Sequence, residues 1–398
     1  MFTNKNLLIL GLIAFVNMLG YGIVIPIIYS YSKRFGLSDF QNGLLFASFS
    51  IAQFISTPII GRLSDKYGRK PLLLFSIIGT ALSFFTLAFA PNALILFLGR
   101  ILDGLTAGDI PVAFAIISDT TKPQERTRSF GIIGAAFGFG FVFGPAISAL
   151  TLNFGASMPF IVAGSIALVA VFLTAIFLHE TNQHMGEVQK APLFDFPKLW
   201  NTLFEPNVGI TFLISLIFNL AFSLSVVYGF QPFTIKVLHI TAQQNAELFA
   251  MVGFIGLLSQ ALIVSRVTKA FGIKRTFSTS IVLMALSFIL MFLSRSLSLF
   301  ITASILFALS NSIVQTLILT ILSQEADQKS QGSIMGLNSS YQSIGTIFGP
   351  LLGGAIATVS IPATFLAGAV LMLFNYVLSL RILGSGAKKE SAFSPVTA

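Results

Sequence analysis

The 398-residue chain is 55% hydrophobic and 9% charged, with a mean hydropathy of +0.89 and 42 phenylalanines. A water-soluble fold of this length has no core large enough to hide so much apolar surface, so lipid is the expected solvent. Cysteine is absent and histidine occurs three times, which excludes disulfides and thiolate metal sites and argues against a metal enzyme.

The first apolar run, Leu7 to Ile28, follows a single Lys5. It is too long for a signal-peptide core and lacks a small-residue cleavage site, so it reads as a retained spanning helix. Lipid leaves no partner for unpaired backbone groups, and each crossing needs about 20 apolar residues in a helix. Charges and Pro/Gly clusters cut the chain into twelve such stretches: 6–30, 40–61, 71–90, 93–118, 128–152, 157–179, 207–230, 244–265, 275–294, 298–323, 332–358 and 361–383. The expected fold is an all-α membrane protein, twelve transmembrane helices in two pseudo-symmetric six-helix bundles. Residues 1–180 form the N-terminal half, 181–206 a polar cytoplasmic linker, 207–384 the C-terminal half and 385–398 a disordered tail.

With the N-terminus in the cytoplasm, eighteen Lys and Arg fall on the cytoplasmic side. Four fall opposite (Lys33, Arg34, Lys236 and Arg295), and Arg100 lies inside a span. This bias places both termini in the cytoplasm. It also accounts for the +9 net charge, and no contiguous basic domain exists to bind nucleic acid.

Between spans 2 and 3, GRLSDKYGRK (residues 61–70) packs five charges into ten positions. Span 4 holds three charges, Arg100, Asp103 and Asp109. A charge at mid-membrane is costly, so such residues face a cavity and have partners. Arg100 and Asp103 are three apart and can pair directly; a permanent ion bridge and a place in the proton path both stay open. Asp109 has no basic neighbour on its own helix. A buried carboxyl without a partner suits loading and release of protons near neutral pH, and a packing role is the alternative. Pro111, just beyond, is positioned to loosen the helix and free a carbonyl.

Span 5 carries Gly131, Gly140, Gly144 and Pro145 in the pattern G-x8-G-x3-G-P, and span 11 repeats it as Gly336, Gly345, Gly349 and Pro350, at an offset of 205 residues. The glycines allow close helix contact, and the prolines are expected to end or bend their helices. GRLSDKYGRK has its own echo, SRVTKAFGIK at residues 265–274, which keeps a turn glycine and basic charge but puts Lys269 where Asp65 stands. Two six-helix halves with matched sequence define a class of transporter with substrate held between the halves.

These residues resemble the major facilitator superfamily, and within it the twelve-span drug:proton antiporters, the group of tetracycline and multidrug efflux pumps. GRLSDKYGRK is similar to the superfamily's loop motif; GRILDGLTAG (99–108) resembles its fourth-span motif, and the span 5 pattern a motif of exporters. NMLGYGIVIPII (17–28) is similar to the first span of that group, with Asn17 where many relatives carry Asp. The resemblance implies a proton-coupled antiporter that exports small amphipathic molecules across a bacterial inner membrane and confers antibiotic resistance. Asp109, Asp103 and Arg100 are the proton-coupling candidates. Gly61, Arg62, Asp65, Gly68, Arg69 and Lys70 are expected to form a conformational latch, with Asp65 near the start of span 11. Polar or aromatic residues expected in the substrate cavity are Asn17, Tyr21, Gln53, Phe137, Asn219, Phe222, Tyr228, Gln260, Asn311, Gln315, Asn338, Tyr341 and Gln342. No metal or organic cofactor is expected; the proton gradient supplies the energy, and the partners are substrate, protons and lipid around a monomer. The alternatives are export of a native metabolite, lipid or siderophore, nutrient import, or a non-transporting membrane sensor. No Walker-type loop or Ser/His/Asp constellation is evident, so an enzyme is not expected.

Overall fold

The computed structural model describes residues 5–121, 123–182, 195–206, 208–325 and 331–390. Within that range, twelve helices are long and apolar enough to cross a membrane. Spans 1 to 6 are Asn6–Val24, Asp39–Tyr67, Arg69–Ala88, Ala93–Thr120, Ser129–Phe154 and Met158–Phe177. Spans 7 to 12 are Gly209–Lys236, Ala242–Phe271, Ile273–Leu293, Leu297–Glu325, Ile334–Val359 and Ala363–Ile382. Much of the expected linker, residues 183–194, lies outside the described residues, as do 391–398 of the expected tail and the basic residues Lys122, Lys190 and Lys329.

Local signals set the ends. Span 1 stops at Val24, short of the expected residue 30, because Pro26 has no N–H to continue the ladder. Span 2 opens on a capping box, with Gln41 N–H donating to Ser38 Oγ at 3.2 Å and Ser38 N–H to Gln41 Oε1 at 2.8 Å. Span 8 opens on the same device, Thr241 with Gln244, at 3.2 and 2.9 Å. Thus the repeat in the sequence reaches the helix caps. It also reaches the turns: Gly68 after span 2 and Gly272 after span 8 share a left-handed conformation, with φ of 106° and 79°.

The chain divides into two compact units, Met1–Phe194 with Thr234–Gly253, and Asp195–Phe233 with Phe254–Ala398. In the first, Leu10, Ile13, Ile77, Ala81, Val112 and Ile116 from spans 1, 3 and 4 form a buried apolar cluster. In the second, aromatic rings take this place. Phe233, Phe300 and Phe365 meet with centroids 5.2–6.0 Å apart, and Phe222, Phe288 and Phe307 continue the stack. Other phenylalanines are filler toward lipid, such as Phe89 and Phe172, 70% and 64% exposed.

Glycines bring one helix pair in each unit into backbone contact. A Cβ on Gly140 would lie 2.5 Å from the Phe15 carbonyl oxygen of span 1, and one on Gly144 2.6 Å from that of Leu19. In the other unit, Gly345 and Gly349 seat equally tightly on Asn219 and Ser223 of span 7. Gly131 and Gly336, the first glycines of each pattern, face open space. The prolines do not end their helices, which run on through Pro145 to Thr151 and through Pro350 to Val359. Gly140→Ala is therefore expected to lower stability by about 1–3 kcal/mol through overpacking. Gly131→Ala should stay within about 0.5 kcal/mol of wild type. Thermal unfolding of the detergent-solubilised protein checks the contrast.

Candidate functional site

Span 4 is not one continuous helix. It runs as Ala93–Thr106, breaks at Ala107–Gly108, and restarts as Asp109–Thr120. Pro111 cannot donate to the carbonyl four residues back, that of Ala107, and Thr57 of span 2 satisfies it through Oγ1 at 3.1 Å. Ser56 Oγ meets the Gly104 carbonyl at 2.7 Å. Gly104 lets span 2 come this close, since a Cβ there would lie 2.4 Å from the Phe49 carbonyl oxygen. The break places Asp109 at the N-terminus of a half-helix inside the membrane, 4% exposed. Its carboxylate meets the backbone N–H groups of Asp109 and Ile110 and accepts a hydrogen bond from Asn17 Nδ2 of span 1 at 2.8 Å. A buried anion is favoured there, where the helix dipole points its positive end. The carboxylate has no cation on its helix, as its sequence neighbours imply, but it does have partners.

One and a half turns upstream, Arg100 Nη1 donates to Asp103 Oδ2 at 3.1 Å, with both residues buried. The guanidinium carbon sits 4.3 Å from the centre of the Phe49 ring, and Tyr21 packs against the same ring. Arg100 Nε has no partner among the described residues. Losing one member of such a pair strands the other charge, so the two are held together.

The 61–70 segment is helical except at Gly68, where span 2 turns into span 3. Span 2 continues through its charges to Tyr67, because these residues pair along the helix instead of breaking it. Arg69 binds Asp65 Oδ1 at 2.5 Å, Ser64 Oγ at 2.7 Å and, through Nε, Asp119 Oδ2 of span 4 at 3.1 Å. Lys70 Nζ donates to the Ala175 carbonyl near the end of span 6 at 2.8 Å. Gly61 accepts from Ser64 Oγ, and Arg62 lies on the same helix end. Residues 326–330, which lead into the start of span 11 where Asp65 is expected to sit, are outside the described residues.

Glu180, which the sequence does not single out, holds this segment from beneath. Its carboxylate accepts from the backbone N–H groups of Arg69 and Lys70 at 2.9 and 3.0 Å, capping span 3. A Cβ on Gly68 would strike Glu180 Oε2 at 2.5 Å. Burial alone would raise the Glu180 carboxyl, but the N–H groups of Asn182, Arg69, Lys70 and Thr181 outweigh it and hold the group below the ordinary glutamate range.

A second unforeseen cluster lies where span 1 passes to span 2. Asp39 accepts from Tyr29 Oη at 2.6 Å, Lys33 Nζ at 2.8 Å and Lys236 Nζ at 3.0 Å, with both ammonium groups over the Tyr29 ring. Nearby, buried Asn245 donates to the Pro26 carbonyl at 2.7 Å and accepts from Thr234.

The remaining candidates divide. In the first unit, Gln53 and Phe137 are partly buried on spans 2 and 5. In the second, Asn219 donates to the Ser215 carbonyl, Tyr341 Oη donates to the Leu199 carbonyl at 2.5 Å, and Tyr228 is fully buried against Gly353. Phe222 joins the ring stack, Gln260 is exposed in a π-helical turn, and Gln315 and Gln342 lie on spans 10 and 11. The buried Oδ1 atoms of Asn311 and Asn338 have no partner among the described residues.

Two repeated sets of six spans, with a broken helix and buried charge in one, are the architecture of a secondary transporter. The family model of the Major Facilitator Superfamily matches residues 10–269 and 216–398, and the chain belongs to that superfamily of transporters. It is 31% identical over 383 residues to the class H tetracycline resistance protein of Pasteurella multocida, covering 92% of this chain and 94% of that one. Multidrug resistance protein 2 of Bacillus subtilis (strain 168) is 30% identical over 379 residues, covering 92% of each. The solved structure of the nucleoside transporter NupG superposes with a TM-score of 0.78 at 15% identity, over 95% of this chain and 99% of that one, a likeness of fold.

Glu180→Ala is expected to destabilise the protein by about 1 kcal/mol at pH 7, the value of a helix cap. A depressed carboxyl contributes above its ordinary value of 4.5 and loses the contribution as pH falls through the folded value. Thermal unfolding curves of variant and wild type should therefore converge in acid.

Proposed function

We propose that the chain is a proton-coupled antiporter exporting small, amphipathic, drug-like molecules by alternating access, in a bacterial inner membrane with both termini cytoplasmic. The observation that carries this reading is Asp109. It is a carboxyl buried in the membrane, placed by a break in span 4 at a half-helix N-terminus and bonded to a neutral amide instead of a cation. Such a group is free to exchange a proton, whereas the Arg100–Asp103 pair is better suited to hold its charge. Similarity to tetracycline and multidrug resistance proteins supports the class of substrate.

In this scheme a proton arriving from outside neutralises Asp109, binding of a cationic or polar substrate weakens, and substrate leaves outward. Loss of the proton to the cytoplasm resets the site. One charge crossing a potential of 100 mV yields about 2.3 kcal/mol, enough to drive a substrate gradient of nearly two orders of magnitude. The Arg69–Asp65–Asp119 knot serves as the cytoplasmic latch, and the Asp39 cluster, which ties Lys236 to the ends of spans 1 and 2, parts when the outer face opens.

Asp109→Asn should reduce proton-driven substrate accumulation in inside-out vesicles at least tenfold, to background; retention of coupled transport refutes the assignment. Asp65→Asn should slow transport up to about fivefold, the effect of about 1 kcal/mol, with membrane insertion intact. An unchanged rate removes the latch.

A further inference from the structure

Asn17 is among the residues whose type and span make it a candidate substrate contact, yet its amide is committed elsewhere. Nδ2 lies 2.8 Å from Asp109 Oδ2, the one side-chain hydrogen bond to that carboxylate among the described residues. We infer that Asn17 is a positioning residue for the proton site: it donates to ionised Asp109, turns its amide to accept from protonated Asp109, and so makes span 1 register the proton load of span 4. The inference rests on Asp109 being the proton carrier.

Three observations converge on this role. First, the two side chains share the wall of a cavity of about 10 Å³, completed by Ile13, Val16, Ile77 and Thr80. That volume is at the lower limit for a single water, so solvent cannot supply a full hydrogen-bond shell in place of the amide. Second, the charged or titratable side chains near Asp109 are few. Span 4 itself brings Asp103 and Arg100, span 1 brings Tyr21, and the membrane-embedded stretches of spans 2, 3 and 5 bring none. The Arg100 charge is already spent on Asp103. Third, an amide has a donor end and an acceptor end related by a half-turn of its terminal torsion. An ionised carboxylate only accepts, while a protonated one must also donate. Asparagine serves both states without moving its backbone and without a proton of its own to lose, which leucine cannot do at all and aspartate does only by titrating itself.

The consequence reaches the helix seam. Gly140 of span 5 rests on the backbone of span 1 at Phe15 and Leu19, on either side of Asn17. Asn17 projects from the other side of span 1, toward span 4, so span 1 lies between the proton site and this close backbone contact.

The test is the pH profile of proton-driven substrate uptake in inside-out vesicles, set beside substrate affinity without a gradient. A hydrogen bond to a charged group is worth one to two pH units of proton affinity, about 1.5–3 kcal/mol. Because Asn17 also bonds the protonated form, Asn17→Leu loses only the difference between the two bonds and should move the midpoint of the profile upward by about one unit. Measured well above both midpoints, where Asp109 is ionised in either protein, affinity should change less than twofold, while Asn17→Gln should stay near wild type. An unmoved midpoint, or a changed affinity with an unmoved midpoint, overturns the inference. Infrared titration of wild-type protein labelled at asparagine gives a readout independent of whether the variants fold. An amide band that shifts with the same midpoint as the Asp109 carboxyl band, identified by its loss in Asp109→Asn, supports the inference, and an amide band that does not follow overturns it. If Asp109→Asn retains coupled transport, the carrier reading itself fails. If it uncouples transport while Asn17→Leu leaves the profile unmoved, only the role of Asn17 fails.

Discussion

A carboxylate deep in an apolar bundle persists only where protein donors replace the water it has lost, and the break in span 4 meets this requirement. Because the helix restarts at Asp109, backbone N–H groups that would otherwise be bonded within the helix point at the acid. The break itself has to be made tolerable. Its freed carbonyls are taken by Ser56 and Thr57 of span 2, which reach them because Gly104 lets the two backbones approach. Without Thr57 the Ala107 carbonyl would lose its partner in a medium that offers no substitute, whereas the Gly104 carbonyl keeps the Ala107 N–H at 3.2 Å. Pro111, Gly104, Ser56, Thr57 and Asn17 thus form one structural argument, spread over three spans.

The repeat shows which features are architecture and which belong to one half. Capping boxes, left-handed turn glycines and seam glycines occur in both. So does the lysine after the turn: Lys70 reaches the Ala175 carbonyl and Lys274 the Ile382 carbonyl, each 2.8 Å away near the end of its half's last span. The first is cation placement at a helix C-terminus; the second meets a helix that runs on to Glu390. The halves diverge beside that lysine. Arg69 joins Asp65 to Asp119, whereas the second half has Ile273 next to Lys274, and Glu325 bonds to Thr211 instead. Among the described residues the ionic knot belongs to the first half alone.

Hydropathy made the twelve spans readable, because lipid forces every crossing to be long, apolar and helical. The ends were less readable. Charges at residues 62–66 and 266–269 look like span boundaries, yet spans 2 and 8 continue to Tyr67 and Phe271, since a helix leaving the membrane keeps its backbone bonds while its side chains meet water. The seam glycines were legible because spacing alone puts them on one face. Asn17 could be named as polar within a span, but not as the partner of an acid 92 residues away. Glu180 sat in an ordinary polar tail of a helix, and only folding brings it to backbone groups about 110 residues upstream. Partners fixed by tertiary contact leave no periodic trace in the chain.

The two units also differ in how they fill space. The first joins spans 1, 3 and 4 through an aliphatic cluster, and the second stacks phenylalanines from spans 7, 9, 10 and 12. Around the charges themselves the walls are mixed: Arg100 lies over the Phe49 ring, and Ser83 and Thr80 bond to Asp103. The rings of this stack, apart from the partly exposed Phe222, are fully buried and fill the core of their unit. Span 7 adds a π-helical turn at Ser223–Gly229, beside the seam contact of Gly349 with Ser223. Such turns loosen the regular ladder and recur at functional sites. A duplicated fold can thus fill its two cores differently, with buried charge in one copy and stacked rings in the other.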